Sequence, residues 1–187
     1  MRRVSVVGTS RAGKSTLSRT LALRLGADFL ELDSVFHQAD WVPLATEEFR
    51  RRVGAAVAGE RWVIDGNYTS KVRDLVWARA DTVVWLDLAE HTVMRRIIWR
   101  SFGRVAGRTE LWNGNRERWR NLSALDKEES VIAWAWQTHA ATRAKLEAAM
   151  ADPANSHLRF VRLTSPAAVR RFLRSVSSVN GPVSGVH

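Results

Sequence analysis

Two stretches of the chain, Arg61-Trp62-Val63-Ile64-Asp65 and Thr82-Val83-Val84-Trp85-Leu86-Asp87, are apolar without alternation and end on a carboxylate. A strand with one wet face alternates apolar and polar residues. A continuous apolar run of this length belongs to a strand buried on both faces, as in a parallel sheet between helical layers. Arg3 to Val7, Ala27 to Leu32 and Leu158 to Leu163 supply three further β-rich runs. Segments with helical spacing lie between them. In Lys14 to Leu25 the residues Leu17, Leu21 and Leu25 share a face, and Gly26 stands at the C-cap position. A second helix runs from about Thr46 to Gly59 with Glu47 and Glu48 in its first turn, a third from Glu90 to about Phe102, and a long fourth from near Ser123 to Met150, with Ser123 and Asp126 as capping candidates. Ser165-Pro166 opens the last as N-cap and N1. Strands alternating with helices give an α/β fold, a three-layer sandwich about a parallel sheet.

The chain has 187 residues, which fits one domain, expected over residues 1–175, followed by a loose tail rich in Ser, Gly, Val and Pro. Cysteine is absent, so disulfides and thiolate-built metal sites are excluded. No apolar run approaches the roughly 20 residues that cross a bilayer. The N-terminal Met-Arg-Arg-Val-Ser-Val-Val-Gly is too short in apolar residues for a secretion signal, so the expectation is a cytoplasmic protein with no membrane contact. Lys and Arg total 29 against 19 Asp and Glu, a formal charge of +10, and only four of the cations are Lys. Arginine presents a planar fork of donors that matches phosphate, which points to a polyanionic ligand. GC-rich coding would also favour Arg over Lys, and nucleotide, nucleic acid and acidic lipid all remain open on charge alone.

Gly8-Thr9-Ser10-Arg11-Ala12-Gly13-Lys14-Ser15 matches G-x-x-x-x-G-K-[ST], with Thr16 following. It sits between the first β run and the first helical segment, the context in which backbone N–H groups curl round a phosphate and a helix N-terminus adds its positive end. Gly8, Ser10, Arg11, Ala12, Gly13, Lys14, Ser15 and Thr16 are the candidate ATP contacts. Lys14 would reach the β- and γ-phosphates and the Ser15 hydroxyl would meet Mg²⁺. Asp65, at the tip of an apolar strand, is the candidate acidic partner of Ser15 at the metal. Asp87 stands at a similar strand end, but Leu88-Ala89-Glu90 after it reads as a helix entry, and Asp87 is taken as structural. Asp33 falls at the expected end of strand two, beside the crevice where open α/β sheets bind ligands. A carboxylate there can orient an acceptor hydroxyl or take its proton, with His37 as a substrate contact or a surface histidine. Phe36 and Trp41 either stack on a substrate ring or pack under a loop, the second being favoured.

The phosphate loop, Leu32-Asp33, Asp65-Gly66, Val83-Val84-Trp85-Leu86-Asp87 and an Arg-rich stretch after a helix resemble the adenylate-kinase-like and shikimate-kinase-like P-loop kinases. Leu32-Asp33, Phe36, Trp41 and Trp62-Val63-Ile64-Asp65-Gly66-Asn67-Tyr68 are most similar to the group known as DNA topology modulation proteins (FlaR-related). The resemblance covers residues 1 to about 175. It implies a five-stranded parallel sheet, Mg-ATP as donor, an acceptor-binding segment after strand two and a mobile lid at about 103–122. Adenylate kinases follow their Asp-Gly pair with Phe-Pro-Arg. Here Asn67 and Tyr68 stand instead, and the next cations are Lys71 and Arg73. A smaller hydroxyl-bearing acceptor becomes plausible, held by Asp33, His37, Asp65, Gly66, Asn67, Tyr68 and Arg73.

Between Arg95 and Arg120 eight arginines face two acids, Glu110 and Glu117. Repulsion at such density should keep the stretch open until an anion arrives. Position in the family makes Arg100, Arg104 and Arg108 the lid residues that would close on the transferring group; Arg116, Arg118 and Arg120 read as a solvated face. The resulting expectation is a small P-loop kinase transferring the γ-phosphoryl of Mg-ATP to a small acceptor, with Lys14, Asp33, Arg100, Arg104 and Arg108 as catalytic groups, as a monomer or homodimer. A nucleic-acid-binding ATPase or a polynucleotide end kinase would also use a charge of +10 and nine Trp.

Overall fold

Five strands pair in parallel in the order β2-β3-β1-β4-β5: β1 Arg3–Gly8, β2 Asp28–Glu31, β3 Trp62–Asp65, β4 Thr82–Leu86 and β5 Arg159–Leu163. The structure is a computed structural model, and it describes residues 1–9, 12–68, 70–89 and 128–176; for residue 40 and residues 128–139 it describes the backbone. The helices are α1 Lys14–Leu25, α2 Leu32–Phe36, α3 Thr46–Val57, α4 Arg73–Trp77, α5 Glu128–Ala151 and α6 Pro166–Ser175, with a 3₁₀ turn at Ala39–Trp41.

The unalternating runs behave as expected of a doubly covered sheet. In β3, Trp62 and Ile64 enter one hydrophobic cluster and Val63 the other. In β4, Val83 and Trp85 face the first cluster, Val84 and Leu86 the second. Phe49 and Val53 of α3, Val76 and Trp77 of α4 and Leu146 of α5 cover the first face. Leu17 and Leu21 of α1, with Val169 and Phe172 of α6, cover the second. Successive strand residues point to opposite faces, so both layers are needed to keep all five β4 residues buried. The two large indoles find partners for their N–H groups, Trp62 at the Val57 carbonyl (3.3 Å) and Trp77 at the Ser5 hydroxyl (3.3 Å).

Local chemistry sets most boundaries. Gly26 ends α1 at φ 57°. Ser165 accepts from the Ala168 N–H and Pro166 takes the first turn of α6. Strand two is shorter than expected: it ends at Glu31, and Leu32 already begins α2. The Ser34 hydroxyl donates to the Glu31 carbonyl at 2.7 Å and turns the chain away from the sheet. Asp33 therefore lies in the first turn of a helix, not on a strand. Helix α4 was not legible, since five residues are too few to display a period. The expected helix from Glu90, the insertion at 103–122 and the tail beyond residue 176 fall outside the described residues.

Asp87, expected to be structural, is ion-paired. It is buried, accepts from Arg162 (Nη2 at 2.6 Å) and lies 3.6 Å from Arg143 on α5. Arg162 also reaches Glu147 of α5 at 2.9 Å and stacks over the Trp85 ring at 4.2 Å. A buried carboxylate needs such pairing.

Gly8 is the tightest point of the sheet. Its φ is 141°, and a Cβ there would stand 2.3 Å from the Leu86 carbonyl oxygen. Gly8→Ala should destabilise by about 3 kcal/mol or more, roughly 6–12 °C in Tm, from strain and clash together. Gly54→Ala, in α3, meets nothing within 4 Å and should stabilise by about 0.5–1 kcal/mol. Thermal unfolding of the two variants checks both signs.

Candidate functional site

Because β2, β3 and β1 are neighbours and parallel, their carboxyl ends deliver residues to one crest of the sheet. The turn after β1 holds the expected phosphate loop. Gly13 adopts φ 99° as the residue before α1, and the Ala12 N–H bonds back to the Thr9 carbonyl at 3.3 Å. These conformations turn the backbone toward the N-terminus of α1, where an anion gains from unpaired N–H groups and the helix dipole. Gly8, Ala12, Gly13, Lys14, Ser15 and Thr16 lie in this turn; Ser10 and Arg11 are outside the described residues, as are Arg100, Arg104 and Arg108.

Lys14 donates to the Thr9 carbonyl at 3.0 Å. Burial lowers its pKa, opposed by the carboxylates of Asp65, Asp33 and Glu31. One ammonium thus stands among three acidic groups. Asp65 is buried at the end of β3, and burial raises its pKa from the ordinary 3.8 to about 6, although Lys14 and the Ser15 hydroxyl pull it down. Its Oδ1 has no hydrogen-bond partner among the described residues.

Glu31 is the residue that sequence reasoning missed. It is buried at the end of β2, accepts from the Ser15 hydroxyl at 2.6 Å and meets Arg19 at 3.2 Å. The nearest hydrogen-bonded carboxylate of Ser15 is therefore Glu31, with Asp65 close by, where Asp65 alone was expected. The signal was present: β2 is the outer neighbour of β3, and Glu31 pairs with Asp65 in register. Because β2 ends at Glu31 and Leu32 already opens α2, the acid at the strand tip is Glu31, two residues before the expected Asp33.

Orphaned buried Asp65 Oδ1, the Ser15 hydroxyl and Glu31 fit a magnesium ion in chemistry. All are hard oxygen donors beside a phosphate loop. Among the described residues no three acidic or histidine groups form a closed metal cage, as suits an ion that keeps several waters and takes phosphate oxygens.

Beside α2 the Tyr68 hydroxyl donates to Asp33 Oδ1 at 2.7 Å and lies 3.4 Å from His37 Nε2. The phenol proton is taken by Asp33, so a hydrogen bond to His37 requires His37 to donate. Burial, then the bond to Asp33, raises the Tyr68 pKa above its ordinary 10. Phe36 packs against Phe49 and Tyr68 in the core, as favoured. Trp41 is 38% exposed at φ 61°, edge-on to His37 at 5.5 Å, and does not pack under a loop.

Two expected acceptor contacts are engaged elsewhere. Asn67 pairs with both backbone groups of Gly8, accepting from its N–H at 3.0 Å and donating to its carbonyl at 2.8 Å. Arg73 opens α4 and lies over the Trp77 ring at 4.9 Å. Gly66 holds φ 139°, where a Cβ would stand 2.9 Å from Leu32 Cβ, so its role is to let β3 pass α2 closely.

No family model matches the sequence, and no curated protein matches it. Solved structures do. A shikimate kinase from Bacteroides thetaiotaomicron aligns over 92% of this chain and 94% of its own, at 15% identity and a TM-score of 0.52. A sugar kinase from Janibacter sp. aligns over 93% of both chains at 19% identity and a TM-score of 0.48. The likeness is one of fold, a parallel sheet of five strands between helical layers.

The raised Asp65 pKa carries a stability consequence. Between about pH 4 and 6 the folded chain holds a proton that the unfolded chain has released, so ionisation of Asp65 costs stability as pH rises through that window. The full cost is about 3 kcal/mol. Asp65→Asn should therefore stabilise the ligand-free protein at pH 8 by on the order of 1–3 kcal/mol, the gain vanishing toward about pH 4. Denaturant unfolding across pH measures this; a gain that is flat with pH would refute it.

Proposed function

We propose that the chain is a small phosphotransferase that moves the γ-phosphoryl group of Mg-ATP to a hydroxyl on a small acceptor. The observation that carries this is the convergence of Lys14, Asp65, Glu31 and Asp33 at one crest of the sheet, behind a G-x-x-x-x-G-K-S turn. The donor would lie in Gly8 to Thr16 with its phosphates on the α1 N-terminus. Lys14 would neutralise charge on the phosphoryl oxygens. Asp65 and the Ser15 hydroxyl would hold Mg²⁺, with Glu31 orienting Ser15; the ion supplies charge neutralisation at the β- and γ-oxygens. Asp33, its rotation set by Tyr68, would orient the acceptor hydroxyl and take its proton. His37 and Trp41 would line the acceptor side. Arg100, Arg104 and Arg108 would close over the transferring group. The resemblance to the FlaR-related group is compatible with this reading and names no acceptor.

Screening nucleosides, nucleotides, sugars and short oligonucleotides for ATP consumption tests the proposal. Lys14→Ala should lower kcat with any accepted substrate by on the order of 10²–10³, with the fold intact by circular dichroism. Full activity in this variant would overturn the assignment. Arg104→Ala and Arg108→Ala should lower kcat more than they weaken ATP binding, while Arg118→Ala stays near wild type. The competing reading, a nucleic-acid-binding ATPase, predicts instead that these lid variants keep kcat and lose oligonucleotide affinity that falls steeply with salt.

A further inference from the structure

We infer that Asn67 is a positioning residue and that Asn67-Tyr68 is a brace fixing the phosphate loop relative to the acceptor carboxylate. The inference rests on the donor-site reading above. In a parallel sheet a residue's N–H and carbonyl face the same neighbouring strand, and the next residue to face it lies two positions on. Val6 faces β3, since the Gly66 N–H donates to its carbonyl at 3.2 Å. Gly8, two residues later, must face the same side. By then β3 has ended, so no strand is left to pair with it. The Asn67 carboxamide takes that place, with acceptor and donor set against the Gly8 N–H and carbonyl. A side chain thus supplies the last rung of the ladder, at the residue that begins the phosphate loop.

The very next residue reaches the other way. Tyr68 donates to Asp33 on α2, and its ring is wedged against Phe36 and Phe49 at about 5 Å between centroids. One peptide unit therefore links the start of the donor cradle to the proposed acceptor base. In-line transfer needs the reacting atoms held at about 3–3.5 Å, and a displacement near 1 Å can cost on the order of 10² in rate. Two adjacent side chains anchored in opposite directions limit that displacement. Aspartate at position 67 would keep the bond from the Gly8 N–H but turn a carboxylate oxygen on the Gly8 carbonyl. Alanine would lose both bonds.

Tyr68 is the only tyrosine in the chain, so protein labelled with ¹³C at tyrosine Cζ gives one signal, from the ring that holds Asp33. Mg-ADP, with its binding followed by calorimetry, should move that signal in the wild type although its contacts in the donor-site reading, the phosphate loop and Asp65, include neither Tyr68 nor Asp33. In Asn67→Ala and in Asn67→Asp the response should fall by more than half at saturation. The Mg-ADP Kd should rise about fivefold in Asn67→Ala, the equivalent of one ordinary hydrogen bond. A residue that merely stabilised the fold would lower Tm and leave the saturated response intact; that result in either folded variant overturns the brace. Mg-ADP binding to wild type with no movement of the Tyr68 signal overturns the brace and leaves the donor-site reading standing. Absence of calorimetric binding to wild type overturns both.

Discussion

The attraction between Lys14 and the three carboxylates around it is the interaction on which the site depends. Asp65, Asp33 and Glu31 come from two different strand ends and the helix that follows one of them, and each would repel the others in a crest partly closed to water. Lys14 is the positive charge within their common reach, carried on the first turn of the first helix. The strand order makes this meeting possible. With β1 flanked by β3, and β3 by β2, the glycine-rich turn opens beside every carboxylate the site uses. The arrangement leaves charge imperfectly satisfied. Among the described residues Asp65 retains a buried oxygen without a donor, an electrostatic cost that a hydrated divalent cation would relieve.

The fold was readable because its signals are redundant. Two apolar runs and three β-rich ones, one phosphate-loop pattern and two helix ends marked by Gly26 and Ser165-Pro166 agree with one another. The site was readable in part. Lys14, Ser15 and Asp65 follow from the motif and from a strand tip. Glu31 and Asp33 were harder to separate, because a two-residue register decides which carboxylate ends a strand and which opens a helix. That register was set by Ser34 bonding a backbone carbonyl. Asn67 looked like a substrate group because nothing in a linear pattern says that a neighbouring strand lacks a partner for its last residue. Arg73 was expected among the acceptor contacts, and its guanidinium lies over an indole on its own helix.

Charge illustrates the same limit. A balance of +10 suggests a surface waiting for a polyanion. Among the described residues several arginines already have partners: Arg50 with Asp74, Arg51 and Arg52 with Glu48, Arg162 with Asp87 and Glu147. The exposed pairs contribute little stability, but they place acids beside bases and leave the excess for other parts of the chain. In the sequence the densest excess, eight arginines against two acids, falls between Arg95 and Arg120.

The ion-paired cluster at Asp87 has a consequence for how this chain can vary. Asp87 stands where the chain departs from β4, and Arg143 and Glu147 stand on the helix by which it comes back; Arg162 joins both. Departure and return are therefore fastened to each other independently of whatever lies between them. Once the ends of an excursion are held together, doubling its length adds only about 0.6 kcal/mol of closure entropy. Insertions, deletions or wholesale exchange of the intervening segment should leave the sheet undisturbed, so that portion of the chain can change in length and composition while the half built on β1, β2 and β3 stays constant.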